Sequence, residues 1–254
     1  MCTAIPTAPS SSYRDAPLRW PDRPATVRRV ETPFDPTALN RQVEGLARAH
    51  QRLLSSLADL TDEMIARPSR LPKWSVGHVL AHIEHQGDSM VRLVDAAESG
   101  SVGEQYPGGM AARVDAIERD AVRSADDHVR GVRRSIYAVE GAFARARDAW
   151  YGRGLMVSGV EVPISDLPLR RWREVEVHCA DLGLSEIDLD GPSCWSADYV
   201  REDLRVMTMM YVSRTSMGRS HLPEPVARLE PAERLVWLLG RVVVDGVEPA
   251  RLLG

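Results

Sequence analysis

Apolar residues that recur every three and four positions run through most of the chain and confine it to packed helices. Leu39, Val43, Leu46, His50, Leu53, Leu57 and Leu60 make one such stripe, about six turns long. Asp35-Pro36 stands in front of it, an N-cap aspartate followed by proline at the first helical position, so order is expected to begin there. A second helix is expected from near Ser75, with Leu80, Ile83, Met90 and Val94 on its apolar side. A third runs from about Ser124 to Trp150 through Val129, Val132, Ile136, Val139 and Phe143. A fourth covers roughly Leu167 to Leu184 along Trp172, Val175, Cys179 and Leu182. Met110–Arg123 also reads as helical, whereas Ser99–Gly109 holds four of the 18 glycines and Pro107 and reads as a loop. Four amphipathic helices with modest connections make an antiparallel bundle.

The rest of the chain divides around that bundle. Residues 1–34 hold six of the 17 prolines and little periodicity, the pattern of an extended or disordered arm. The bundle is expected over 35–190 and a small C-terminal domain over 191–254. That last part has a helix beyond Asp198 with Met207, Met209 and Met210 on one face. Another helix follows near Ala232–Leu239, and Val242-Val-Val reads as a short strand. The fold class is therefore mainly α, with a small C-terminal α/β segment.

Composition removes several function classes. A net charge of −4 and a pI near 6.0 argue against a general nucleic-acid binder. No apolar run reaches the length of a bilayer span, and the N-terminus lacks the pattern of a secretory signal. Three scattered cysteines, Cys2, Cys179 and Cys194, make no disulfide framework. The expected compartment is a reducing cytoplasm. Lys73 is the only lysine, and its Leu71-Pro-Lys-Trp setting suits neither a Schiff base nor a phosphate loop.

GxGxxG, Walker, HExxH and GxSxG motifs are absent. The chemistry that remains lies in histidine and carboxylate on helix faces. Glu174 and His178 stand at i and i+4 on the fourth helix, and His78, His82 and His85 share a face of the second. A bundle interior that brings one of these histidines to Glu174 and His178 makes a two-histidine, one-carboxylate site. Three protein ligands leave a position open for water or substrate, the catalytic form of a zinc site. The plainer reading of such a pair is a solvated helix face. By the same reasoning His50 belongs to the core, and His128 and His221 to the surface. Cys179 continues an apolar stripe and reads as core, and the methionine face reads as packing. Arg170, Arg171 and Arg173 are able to grip carboxylates but read by default as a solvated helix start.

Three runs resemble the mycothiol-dependent maleylpyruvate isomerases. Leu71-Pro-Lys-Trp-Ser-Val-Gly-His-Val-Leu-Ala-His-Ile is similar to that family's first metal-ligand helix. Val160-Glu-Val-Pro through Arg173-Glu-Val-Glu-Val-His-Cys-Ala-Asp-Leu-Gly-Leu is similar to its second. Tyr106-Pro-Gly-Gly-Met-Ala-Ala-Arg113, followed by Ile117-Glu118, resembles the loop and helix between them. The likeness spans roughly residues 37–185. It implies a DinB-like four-helix bundle, a divalent metal (zinc first) and a small thiol cofactor, mycothiol or another of low molecular weight. The implied ligands are His82, Glu174 and His178, with His78 a neighbour. Arg113 and Arg241 fall where the family keeps substrate-binding arginines, and His85 and Gln86 are the implied contacts of the thiol. The chain departs from the family at Cys179, where a second histidine is common, and at Glu84-His-Gln-Gly-Asp88.

The resemblance implies an enzyme whose partners are a small-molecule electrophile and a small thiol, with no nucleic acid and no membrane. A thiolate made available by the metal would add to an activated double bond, and rotation and expulsion would turn a cis alkene into a trans one. The alternative is a thiol S-transferase with the same machinery, stopping after addition or displacing a leaving group. A second alternative is a non-catalytic DinB-like binding or stress-response module. Oligomeric state stays open.

Overall fold

A computed structural model describes residues 34–214, 221–250 and 252. The arm expected over 1–34 lies outside the described residues except for Phe34. Helix α1 (Pro36–Ser56) starts as its sequence requires, with the Asp35 carboxylate accepting from the Thr37 amide at 2.9 Å. A one-turn helix α2 (Asp62–Ile65) leads to α3 (Val76–Glu98). Ser75 caps α3 in a box whose third member is His78: the Ser75 amide donates to His78 Nδ1 at 3.2 Å. Helix α4 (Gly109–Asp120) occupies the piece expected to be helical before α5 (Ala125–Arg145), and α6 (Leu167–Asp181) closes the bundle. Helix α5 stops short of Trp150, which falls in a short 3-10 turn over Asp148–Tyr151.

The bundle forms a ring in which α1 packs on α5 and α6, and α3 on α5 and α6. Its helices do not simply alternate in direction, as an antiparallel bundle would. Arg134 pairs with Glu84 and Arg145 with Asp95, so α3 and α5 run parallel. Gly45 lies under the Trp172 ring and Arg52 reaches Glu176, so α1 and α6 are parallel too. Between α3 and α6 the sense reverses, since Ile83 and Gln86 meet Arg171 while His82 meets Glu174 and His178. The cause is the long connection after α3, which carries β1 (Gly103–Glu104) and α4 before α5 begins.

The small sheet lies in these connections. β1 pairs in parallel with β2 (Arg153–Leu155), Gly103 opposite Gly154, and β2 pairs antiparallel with β3 (Glu161–Pro163). It sits on α3: a Cβ at Gly154 would meet Leu93 at 2.9 Å. In the C-terminal segment the regular structure among the described residues is helical: α7 (Ala197–Arg214), α8 (Glu224–Ala227) and α9 (Pro231–Leu238). The strand expected at Val242–Val244 does not form. The run lies between turns at Gly240 (φ 72°) and Gly246 (φ 73°), and among the described residues the three strands of the sheet all belong to the bundle's connections. Trp237 of α9 is fully buried against Tyr211 of α7, ring centroids 5.2 Å apart, within the same core as the bundle.

Several polar residues lie deeper than their spacing suggests. His128, expected at the surface, is fully buried, and burial lowers its pKa. Arg171 and Arg173 are buried as well. Arg173 donates through Nε to Asp203 of α7 at 2.8 Å, so this helix start is packed rather than solvated. His50 does belong to the core, with Nδ1 3.0 Å from Glu140.

Burial takes the His50 pKa down to about 4, against an opposing hydrogen bond from Glu140. The folded chain therefore binds fewer protons than the unfolded one between the ordinary histidine value and about 4. Stability from this residue is complete above pH 6.5 and falls as the pH drops through that window, by roughly 3 kcal/mol. Urea unfolding at pH 7 and pH 4.5 is expected to show the loss, and His50→Leu is expected to lose less over the same interval.

Candidate metal centre

Helices α3 and α6 meet where the first offers His82 and the second offers Glu174 and His178. His82 Nε2 lies 3.0 Å from Glu174 Oε2 and 3.1 Å from His178 Nε2. Glu174 Oε2 and His178 Nε2 are 3.3 Å apart. One ligand atom from each residue falls within 4.8 Å of the other two, the only such group among the described residues. The ring edges of the histidines face each other at 89°. Glu174 keeps 33% of its side chain exposed, so the group is reachable from one side.

The residues around the triad set its charge. Burial lowers the His82 pKa to about 4, outweighing its hydrogen bond to the Glu174 carboxylate, so the ring is neutral at pH 7. Burial alone would raise the Glu174 carboxyl, but hydrogen bonds from His178 and His82 hold it well below its usual value. Burial opposes charge on His178, yet its hydrogen bonds to Asp181 and Glu174 leave its pKa raised. His178 Nδ1 donates to Asp181 Oδ2 at 2.9 Å, which turns its Nε2 toward His82 Nε2 and Glu174 Oε2. Two imidazole nitrogens and a carboxylate oxygen around one point, with one ring oriented by a carboxylate behind it, suit a divalent cation.

The other sequence-derived candidates fall in different places. Arg113, on α4, holds its Nη2 3.1 Å from His82 Nδ1, with its guanidinium 5.8 Å from the centre of the Tyr106 ring. Because a guanidinium only donates, His82 Nδ1 accepts there. Arg241 touches the triad at one remove, through Asp181 at 2.8 Å. His85 pairs with Asp120 of α4 at 2.7 Å. Gln86 is buried in the bundle, its Oε1 accepting from Arg171 Nη1 at 2.7 Å. His78 serves as a helix cap, meets Glu118 at 3.2 Å, and lies outside the group formed by His82, Glu174 and His178.

The model of the mycothiol maleylpyruvate isomerase N-terminal domain matches residues 46–183. The chain belongs to this family. Two crystal structures of mycothiol-dependent maleylpyruvate isomerase share its fold, at TM-scores of 0.67 and 0.66, the second from a histidine-to-alanine mutant. Each is 19% identical, covering 80% of this chain and 90% of the other. No curated protein matches the chain. Within the matched span this member of the family carries all three triad residues and Arg113, while Arg241 comes from the C-terminal segment.

Three residues at the site had no role that the sequence pointed to. Trp74, presented by a turn in which Lys73 takes φ 69°, lays its ring edge on His82 with centroids 5.7 Å apart. Tyr106 sits between Arg92 and Arg113, 5.9 and 5.8 Å from their guanidinium carbons. Asp181 orients His178. Its signal was present, three residues beyond the histidine on the same helix face. Protein purified without chelator is expected to carry one equivalent of divalent metal by elemental analysis. A His82→Ala/His178→Ala double variant is expected to carry none, and full occupancy in that variant would exclude the triad.

Proposed function

We propose that the chain is a thiol-dependent enzyme of the isomerase type, acting on an electrophilic small molecule with a low-molecular-weight thiol such as mycothiol. The observation that carries this reading is the convergence of His82 Nε2, Glu174 Oε2 and His178 Nε2 on one partly open point. These residues would hold a divalent cation, zinc first, which when bound supplies the positive charge that keeps a thiol deprotonated near neutral pH. Neither cysteine among the described residues supplies the sulfur. Burial pushes the Cys194 thiol up to about 12 and the Cys179 thiol well above its usual value, so neither is a nucleophile at pH 7. A small thiol from solution fills that role, and a reducing cytoplasm is the compartment that suits it.

The chain's own residues bind and orient. Asp181 keeps the His178 proton on Nδ1, leaving Nε2 bare. A cation on His82 Nε2 would place that ring's proton on Nδ1, which now accepts from Arg113, and would turn the donors of Arg113 elsewhere. A substrate carboxylate is the acceptor we assign to it, with the Tyr106 ring still holding the guanidinium at the site. Arg241, with 36% of its side chain exposed, offers a second cation beside the group. Together the two guanidiniums can stabilise the negative charge that develops on a carbonyl oxygen when a thiolate adds to a conjugated double bond. Maleylpyruvate cis–trans isomerisation is the reaction of this class that the family reading favours.

Incubation with zinc, mycothiol and maleylpyruvate is expected to give the trans isomer, with the thiol required and fully recovered. A stable thioether would assign S-transfer instead. Neither turnover nor adduct, in metal-loaded protein with a series of small thiols, would contradict the enzyme reading. Arg113→Ala is expected to lower kcat/KM by about 100-fold while zinc content stays unchanged.

A further inference from the structure

The strongest unassigned feature is the position of Asp181, at the last turn of α6. We propose that Asp181 is a positioning residue that couples metal loading to the docking of the C-terminal segment; this rests on the metal reading of the triad. The side chain is buried, 6% exposed. Its Oδ2 accepts from His178 Nδ1 at 2.9 Å and from Arg241 Nη2 at 2.8 Å. Its backbone carbonyl accepts from the Arg70 amide at 2.8 Å. One residue thus fixes a ligand ring on α6, the chain just beyond α9, and the turn whose Trp74 rests on His82.

The approach of Arg241 is built into the end of α9. Gly240 adopts φ 72°, and the Arg241 amide returns to the Val236 carbonyl at 3.0 Å. This turn brings the guanidinium back over α6. The charged groups facing the carboxylate are therefore His178 from its own helix, Arg241 from the C-terminal segment and Arg70 from the loop before α3. Arg70 spends its guanidinium on Asp190, which leaves Asp181 to the other two. Between these elements opens a cleft of about 450 Å³, lined by Arg70, Leu71, Val177, Asp181, Trp195 and Arg241.

Sharing one carboxylate links its two partners. While Asp181 holds the His178 Nδ1 proton, the ring cannot rotate or move that proton to Nε2, where it would compete with a cation. A cation on Nε2 in turn strengthens the Nδ1–H donor and holds Asp181 in the orientation that Arg241 needs. Affinity for the metal and docking of the segment then favour each other by the same factor.

The test uses the full chain stripped of metal, with zinc affinity measured by chelator competition and amide hydrogen exchange followed over residues 236–250. In the wild type, zinc is expected to slow exchange across those residues. Asp181→Ala is expected to bind zinc 10–100-fold more weakly and to lose the zinc-dependent slowing, with Asp181→Glu recovering part of both. Arg241→Gln spares the His178 contact, so it is expected to abolish the slowing while costing no more than about fivefold in zinc affinity. Folded Asp181→Ala that binds zinc as tightly as the wild type would overturn the proposal. So would wild-type exchange that ignores zinc, or slowing that persists in Arg241→Gln. A wild type that takes up no zinc at all would overturn the metal reading beneath it, which is a distinct result.

Discussion

The antiparallel contact between α3 and α6 is the constraint on which the rest of the molecule depends. Three donor atoms from two helices stay within 3.3 Å of one another only if those helices cannot slide. Arg171 prevents the slide. Its guanidinium is wholly buried and donates from Nη1 to the Ile83 carbonyl at 2.8 Å and to Gln86 Oε1 at 2.7 Å. A shift of one residue in either helix would strand a buried charge, at a cost of several kcal/mol. Burial lowers its pKa to about 10, yet it stays charged at pH 7. Gly87 on α3 makes room for it, since a Cβ there would stand 3.1 Å from Arg171 Nη2 and 2.2 Å from Ser135 Oγ. On the opposite side Gly45 lets the Trp172 ring lie against α1, with a Cβ position only 2.2 Å from the ring.

One nine-residue run of α6 then performs two tasks at once. Glu174 and His178 face His82 of α3. Arg173, one residue before Glu174 on an adjoining face, binds Asp203 of α7, which also accepts from the Tyr199 hydroxyl at 3.0 Å. Glu176 is buried and gathers Arg52, Trp172 Nε1 and Ser196 Oγ on one oxygen at 2.6, 3.0 and 2.7 Å. Its carbonyl takes the Trp195 indole at 2.8 Å. The C-terminal segment is thus fastened to the same helix that supplies two of the three candidate ligands. Asp181 ends the run by holding one of those ligands and the segment together.

Much of this was legible in the sequence because it is local. The leucine stripe of α1, the Asp35-Pro36 start, the Ser75 cap and the glycine-rich loop before α4 each depend on neighbours within a few residues. Glu174 and His178 were placed on one face by their spacing alone. What was not legible depends on residues far apart in the chain. Arg171 and Arg173 look like solvated charges until Gln86 and Asp203 are brought to them. His128 looks polar because its sequence neighbours are, although the fold buries it. The parallel sense of α3 and α5 follows from a connection whose path periodicity does not encode. Val242–Val244 has the composition of a strand but no partner within reach between two glycine turns.

The central claim is that these three side chains form one metal centre, and an anomalous-difference map at the zinc edge tests it most directly. Crystals of metal-loaded protein should show a single peak with His82 Nε2, Glu174 Oε2 and His178 Nε2 at about 2.0–2.2 Å. A peak held by other residues, or none at the triad in protein shown to contain zinc, would contradict it.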